Sequence, residues 1–242
     1  MRYFYDLHIH SCLSPCADDD MTPANIAGMA KLNGLSVIAL TDHNSTKNTK
    51  AFYAACEQMG IIPIAGIEVT TAEDIHLVGL FPDLASAKAF DTYLQDHRIL
   101  YKNPVDIYGH QFLYDINDTV IGEDPYLLSN ALTLSLDEAI AALKEYGAVV
   151  YPAHIDREAN GMVSVLGSVP TEYGFITVEI HDPQNTDSSL AKCLPSIPQV
   201  LHSSDAHFLW DIADALHYFE FEDGLDADEI RDKILAKLEG TL

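Results

Sequence analysis

Residues 3–10 read YFYDLHIH, an aromatic, β-rich run that ends in two histidines two positions apart. On a strand that spacing turns His8 and His10 to one face, together with Asp6. A single histidine there would be an ordinary buried polar residue. A pair at the end of an opening strand instead favours a bound metal.

The same design recurs along the chain. Thr22-Pro23 predicts a helix cap with proline at the first helical position, for a helix ending near 33–34. Residues 36–40 form a buried strand, and a helix over 51–59 stops at Gly60. Strands follow over 61–69 and 75–80, and Asp83 caps a helix running toward His97. Ser135 and Glu138 make a capping box for a helix ending at Gly147. Later strands cover 148–151, 175–180 and 199–203, and Asp226 opens an amphipathic helix through Leu238. Strands alternating with helices predict an α/β fold with mostly parallel strands. Between residues 99 and 134 the pattern weakens at Asn103-Pro104, Gly109, Gly122 and Asp124-Pro125, which predicts a small insertion over the mouth of the fold.

The 242 residues fit one domain, 1–242, with 48% hydrophobic residues for its core. The opening MRYFYDLHIH lacks the apolar region and cleavage site of a secretory signal, so the expected location is cytoplasmic. No run is long and apolar enough for a membrane span. Thirteen Lys+Arg against 37 Asp+Glu leave a formal charge of −24. With no basic stripe, long duplex nucleic acid is not an expected partner. Cys12, Cys16, Cys56 and Cys193 form no disulfide framework. The three residues between Cys12 and Cys16 are a looser spacing than the common zinc pair, so both read as free thiols, Cys16 near the site mouth.

Five further strand ends carry acids and imidazoles. Thr41-Asp42-His43 follows the second strand, where Asp42 taken alone could be a helix cap. Glu68 ends the apolar segment IIPIAGIEV, and His76 opens the next strand. A salt bridge is one reading of Glu68, but basic residues are scarce nearby and a carboxylate bridging two metals fits better. His154 follows a fifth apolar run, with Arg157 three residues on. Glu179 and His181 share a face on the next, and Asp205 and His207 repeat the two-residue spacing. C-terminal strand ends are where barrel enzymes build their sites.

Taken in order, His8-x-His10, Thr41-Asp42-His43, Gly66-x-Glu68 with His76, Ala153-His154 with Arg157, and Ser204-Asp205-Ala206-His207 resemble the PHP family, named for polymerase and histidinol phosphatase. The resemblance implies a distorted seven-stranded (β/α) barrel holding two or three divalent metal ions. It implies one metal on His8, His10, Glu68 and Asp205, with Glu68 bridging to a second on His76 and His154. A third falls to His43, His207 and a residue of the loop SCLSPCADDDMTP, which is longer than the family's usual version. Counting back from Thr22-Pro23 points to Asp18, with Asp19 and Asp20 as alternatives. Asp42 is expected to orient His43 or His10.

The function this implies is metal-dependent hydrolysis of a small phosphate monoester, nucleotide or nucleoside bisphosphate first and histidinol phosphate second. Metal-activated hydroxide is the expected nucleophile, near Glu68 and Asp205. Mixed imidazole and carboxylate donors admit manganese, iron or zinc. Arg157 is the candidate phosphate clamp, its other reading being a salt bridge with Asp156 or Glu158. His181 is a candidate for substrate contact or leaving-group protonation. Two other classes compete. A non-catalytic metal-binding module would have lost some donors. A C–N hydrolase would use a carboxylated lysine between strands, whereas the lysines before His154 fall on helices or loops.

Overall fold

The computed structural model describes residues 1–182, 184, 190 and 197–242. Its main sheet begins with β1 (Arg2–Ile9), β2 (Val37–Leu40) and β3 (Ile62–Thr70), parallel neighbours joined through helices. The next strand, β4 (His76–Phe81), departs from the parallel expectation. Residues 71–75 are too short for a crossover, so β4 folds back antiparallel on β3, with Thr70 opposite His76. A hairpin after β3 (later labels in chain order) thus brings His76 back beside the end that carries Glu68.

Two short strands, β5 (Phe112–Tyr114) and β6 (Val120–Glu123), form a separate hairpin within residues 99–134. β7 (Val149–Pro152) lies antiparallel on the far side of β4, and so runs in the direction of β3. β8 (Thr177–Glu179) and β9 (Gln199–Leu201) pair in parallel, and β10 (Tyr218–Glu220) adds antiparallel to β1. The main sheet is ordered β10-β1-β2-β3-β4-β7. It curls. Ile155 N donates to Glu179 O at 2.9 Å beyond β7, and His10 N donates to Ala206 O at 3.0 Å beyond β1. Strand exits from both parts of the structure therefore meet around one mouth.

Helix ends follow their local chemistry. Thr22 accepts from Asn25 N ahead of α1 (Pro23–Leu32), and Gly60 closes α2 (Thr49–Met59) with φ 67°. Asp83 caps α3 (Leu84–Leu94), and capping boxes open the helices Leu136–Glu145 and Ala227–Glu239. One apolar layer lines the inside of the curl, with Tyr5, Leu7, Ile64, Leu80 and Tyr151. Two others lie between sheet and helices. Each fully buried Leu or Ile contributes about 1.5–3 kcal/mol.

β1 does not keep strict alternation. Its register slips between Asp6 and Ile9, so three steps along β1 match two along β2. Asp6 pairs with Ile38 and Ile9 with Leu40, and both partners belong to the outer layer. The bulge thus separates Asp6 from His8 and His10, which a regular strand would have kept on one face. The 99–134 segment also holds a short helix, Val105–Tyr108, that periodicity did not show. It is tied to the loops after β1 and β2 through Phe112 N to Cys12 O, Tyr114 N to Asn48 Oδ1 and Asn44 Nδ2 to Leu128 O. Lys47 and Arg98 both pair with Asp124, at 2.6 and 2.8 Å.

Gly66 shows why β3 carries glycine two residues before Glu68. A Cβ there would stand 2.8 Å from Thr41 Cγ2 and 2.9 Å from the Leu40 carbonyl oxygen. Backbone on one side leaves no room to yield. Gly66→Ala is therefore expected to cost about 1–3 kcal/mol by overpacking, read as a lower urea midpoint with an unchanged denaturant slope.

Candidate metal centre

Five imidazoles surround one carboxylate. Glu68, at the end of β3, has its oxygens 2.7 Å from His76 Nδ1, 3.0 Å from His154 Nε2 and 3.0 Å from His43 Nδ1. His10 Nε2 and His8 Nε2 stand at 3.3 and 3.4 Å. Asp205 Oδ1 closes on the same two rings, 3.1 Å from His10 Nε2 and 3.3 Å from His8 Nε2. Those two nitrogens are only 3.1 Å apart, and His76 Nδ1 lies 3.2 Å from His154 Nε2. Donors about 2.1 Å from one ion stand about 3.4 Å apart at tetrahedral angles, so these spacings match edges of coordination shells.

Ligand atoms within 4.8 Å of one another form three groups: His8, His10, Glu68 and Asp205; His43, Glu68 and His76; and His10, His43 and His207. Of the sequence-derived donors, His154 belongs to none of these groups but stands 3.0 Å from Glu68 and 3.2 Å from His76 Nδ1, while Asp18 lies apart. Asp18 gives its backbone N–H to His207 O and its Oδ1 to Asp20 N, and its carboxylate joins none of the groups.

Hydrogen bonds behind the rings set their tautomers. His8 Nδ1 donates to Glu179 Oε1 at 2.8 Å, because a carboxylate only accepts. His10 Nδ1 lies 2.9 Å from Ser14 Oγ, whose own proton goes to Asp42 Oδ1 at 2.8 Å, so the ring donates here too. His207 Nδ1 donates to the Asp205 carbonyl at 2.8 Å. In its neutral form each of these rings carries its hydrogen outward and leaves Nε2 as a lone pair. Asp42, expected behind His43 or His10, acts through Ser14, which also accepts from His43 N at 3.1 Å.

Two of the expected donors sit in strained backbone. His154 has φ 25° and Asp205 φ 52°, conformations that cost a non-glycine residue about 1–3 kcal/mol each. Buried carboxylates hold both turns. Glu179 Oε1 accepts from His154 N at 3.1 Å. Asp6 accepts from Ser204 N at 3.0 Å, Ser204 Oγ at 2.6 Å and Ala213 N at 3.0 Å. Sequence reasoning put Asp6 on the histidine face and did not single out Ser11 or Ser14. The serines at both ends of SCLS were the available signal, since Ser11 N and Oγ also bond Asp42 at 2.7 Å.

The electrostatics follow from burial. Desolvation alone would raise Glu68 and Asp205, but the surrounding imidazoles hold both carboxyls well below their usual range. Desolvation would lower His8, yet Glu179, Asp205 and Glu68 drive it well above its ordinary value. His76 goes the other way. Burial takes it down to about 4 despite Glu68, leaving a neutral ring at pH 7. Glu68 Oε2, Asp205 Oδ1, His43 Nδ1 and His154 Nδ1 are buried with no well-aligned hydrogen-bond partner. Three of these four atoms, all but His154 Nδ1, face opposing groups at 3.0–3.3 Å. Imidazole nitrogens and carboxylate oxygens crowded this way fit a shared cation that displaces their protons, and divalent ions suit the mixed donor set.

At the rim, Arg157 Nη1 pairs with Asp205 Oδ2 at 2.6 Å and Nη2 lies 3.3 Å from His181 Nε2. Its partner is thus Asp205, across the site. Burial and the Arg157 charge lower the pKa of His181. Cys16 is exposed in the loop after His10. Local desolvation would raise that thiol, but the His43 and His207 imidazoles draw it down to about 5. Cys193 lies outside the described residues. His202 and His217 stack on each other at 4.9 Å, and His110 pairs with Glu123 in the β5–β6 region. Among the described residues no helix is long and apolar enough to cross a membrane.

Known proteins share parts of this arrangement. Over 79 residues the chain is 35% identical to a 5'-3' exoribonuclease of Haemophilus influenzae, covering 31% of this chain and 28% of that protein. Over 83 residues it is 35% identical to a 3',5'-nucleoside bisphosphate phosphatase of Chromobacterium violaceum, covering 33% and 28%. The chain thus spans under a third of either relative. A structure from Bifidobacterium adolescentis, described as a metal-dependent phosphoesterase, superposes with a TM-score of 0.61 at 18% identity, over 98% of this chain and 96% of that one. That likeness shows a shared fold. The family model for the PHP domain matches residues 6–151. Because that match runs from β1 through β7 and takes in more than half the sequence, the chain belongs to the PHP domain family.

Proposed function

We propose that the protein is a metal-dependent phosphoesterase acting on a small phosphate monoester, with a nucleotide or nucleoside bisphosphate as the favoured class. The observation that carries this is Glu68, one buried carboxylate within 3.4 Å of nitrogens from five histidines. In this reading residues 1–242 make one PHP domain, with β1, β2, β3, β4, β7, β8 and β9 as the seven staves of its barrel and residues 99–134 as an insertion at the mouth.

His8, His10, Glu68 and Asp205 hold one divalent ion, and Glu68 bridges to a second on His76 and His154. His43 and His207 serve a third position. Manganese, iron and zinc all suit these donors. When bound, such ions lower the pKa of water toward neutrality and offset the charge of the phosphoryl group. Glu179 and Asp42 keep His8 and His10 presenting Nε2. Asp205 divides its work, with Oδ1 toward the histidines and Oδ2 on Arg157. The guanidinium, 38% exposed, reaches from that anchor to the ester phosphate. His181 beside it is kept neutral, which suits contact with the leaving group more than delivery of a proton.

The formal charge of −24 supports a small substrate, since long strands are drawn by basic surfaces. The likeness to a bisphosphate phosphatase supports the favoured class. Histidinol phosphate remains the runner-up monoester. The exoribonuclease likeness favours a second reading, removal of nucleotides from a short RNA end.

A panel of phosphomonoesters, phosphodiesters and short RNA, assayed with each metal, tests the proposal. Turnover on none of them by fully metal-loaded protein would refute it. Glu68→Gln is expected to lose at least one bound ion and to reduce kcat/KM by more than 100-fold; full metal content with intact activity would contradict the bridging role. Arg157→Ala removes a charge-assisted hydrogen bond of about 1.5–3 kcal/mol, so kcat/KM should fall about 10- to 100-fold. Unchanged kinetics would take Arg157 out of the phosphate site.

A further inference from the structure

We propose that residues 99–108 form a self-complementary face through which two copies of this chain associate. Neither the metal centre nor its chemistry enters this association.

Large apolar side chains crowd into the stretch, ILYKNPVDIY. Ile99, Leu100, Tyr101, Val105, Ile107 and Tyr108 are all exposed, Leu100 to 61% and Ile107 to 74%. Elsewhere among the described residues, exposed large apolar side chains stand singly or in pairs along the chain. Isolated ones are ordinary, but six within ten residues make a patch of the kind that marks an association surface. Backbone bonds give that patch a fixed support. Tyr108 N donates to Pro104 O at 3.1 Å, and Asn103 Nδ2 donates to Gly109 O at 2.8 Å. Asn103 N donates to Pro125 O at 3.0 Å, and Leu127 N donates to Tyr101 O at 2.8 Å. A face ordered before contact loses less freedom on binding.

Charge selects the occupant. The chain carries −24 overall, so two copies repel wherever their acidic surfaces meet. Residues 99–108 hold one Lys and one Asp, Lys102 and Asp106, and therefore no net charge. Two such chains can meet on this face without that penalty. A nucleic acid would call for a basic surface, and a bilayer would call for lysines and arginines around the apolar side chains. A basic protein would be drawn to the acidic surface elsewhere.

Lys102 and Asp106 supply the complementarity. Both are exposed, and neither makes a salt bridge among the described residues. Dimers of identical chains are mostly two-fold, so a residue that reaches another across the axis is reached by it in return. With the axis passing between these two positions, each Lys102 meets the partner's Asp106, and two ion pairs flank the apolar side chains. The pairs fix the register, while the aromatic and aliphatic groups at the centre supply most of the affinity.

Sedimentation equilibrium of the full-length protein at micromolar concentrations tests this. Wild type is expected at twice the mass of one chain. Ile107→Asp, which would bury a charge in the contact, should sediment as a monomer with unchanged circular dichroism. The charged pair gives an independent arm at exposed positions. Lys102→Asp or Asp106→Lys sets like charges opposite each other and should weaken the dimer by about 10-fold or more. Both changes in one chain restore opposite pairs at the same net charge and should recover most of that loss. A wild type that stays monomeric, or a dimer that both Ile107→Asp and the single charge reversals leave intact, would overturn the proposal. A dimer lost on charge reversal and not recovered by the exchange would overturn the two-fold pairing of Lys102 with Asp106.

Discussion

A buried carboxylate surrounded by nitrogens is the constraint on which the rest of this structure depends. Glu68 is fully buried at the end of an apolar strand, where an uncompensated charge would cost several kcal/mol. In the absence of a cation, the counter-charge available beside it is protons on histidines, and His8 and His43 are accordingly raised well above their usual range. Protons answer that need only in part, because burial keeps His76 neutral and leaves Glu68 Oε2 and Asp205 Oδ1 without aligned donors. Divalent ions would satisfy both at once.

Around this centre stand further buried acids with a different task. Asp6, Asp42 and Glu179 point their oxygens at backbone N–H groups, serine hydroxyls and the outward nitrogen of His8. They hold His154 and Asp205 in left-handed backbone and fix which nitrogen each ring presents. Strain at two donors is tolerated because neighbouring strands over-determine their turns. The curl of the sheet makes this possible. It brings residues from 8 to 207 to one mouth, a separation that no local segment could span.

Much of the element order was legible in the sequence, because caps and apolar runs are local signals. Thr22-Pro23, Asp83, Ser135-x-x-Glu138 and Asp226 each open a helix as their chemistry requires. Strand directions were less legible. The five residues after β3 were enough to predict a hairpin, but the alternation of strands and helices elsewhere masked it. The β1 bulge and the pairing of β10 with β1 depend on partners far away in sequence. The same holds at the site. The histidines and carboxylates at strand ends announce themselves by type and spacing, whereas the roles of Asp6 and Ser14 depend on what lies across from them.

The central claim is that these imidazoles and carboxylates are arranged around divalent ions rather than around each other. Anomalous diffraction from crystals of the zinc- or manganese-loaded protein tests it most directly. The account predicts one anomalous peak among His8, His10, Glu68 and Asp205, and a second beside His76 and His154 that shares Glu68. A Glu68 carboxylate hydrogen-bonded to protonated histidines, with no anomalous peak at the site, would contradict it.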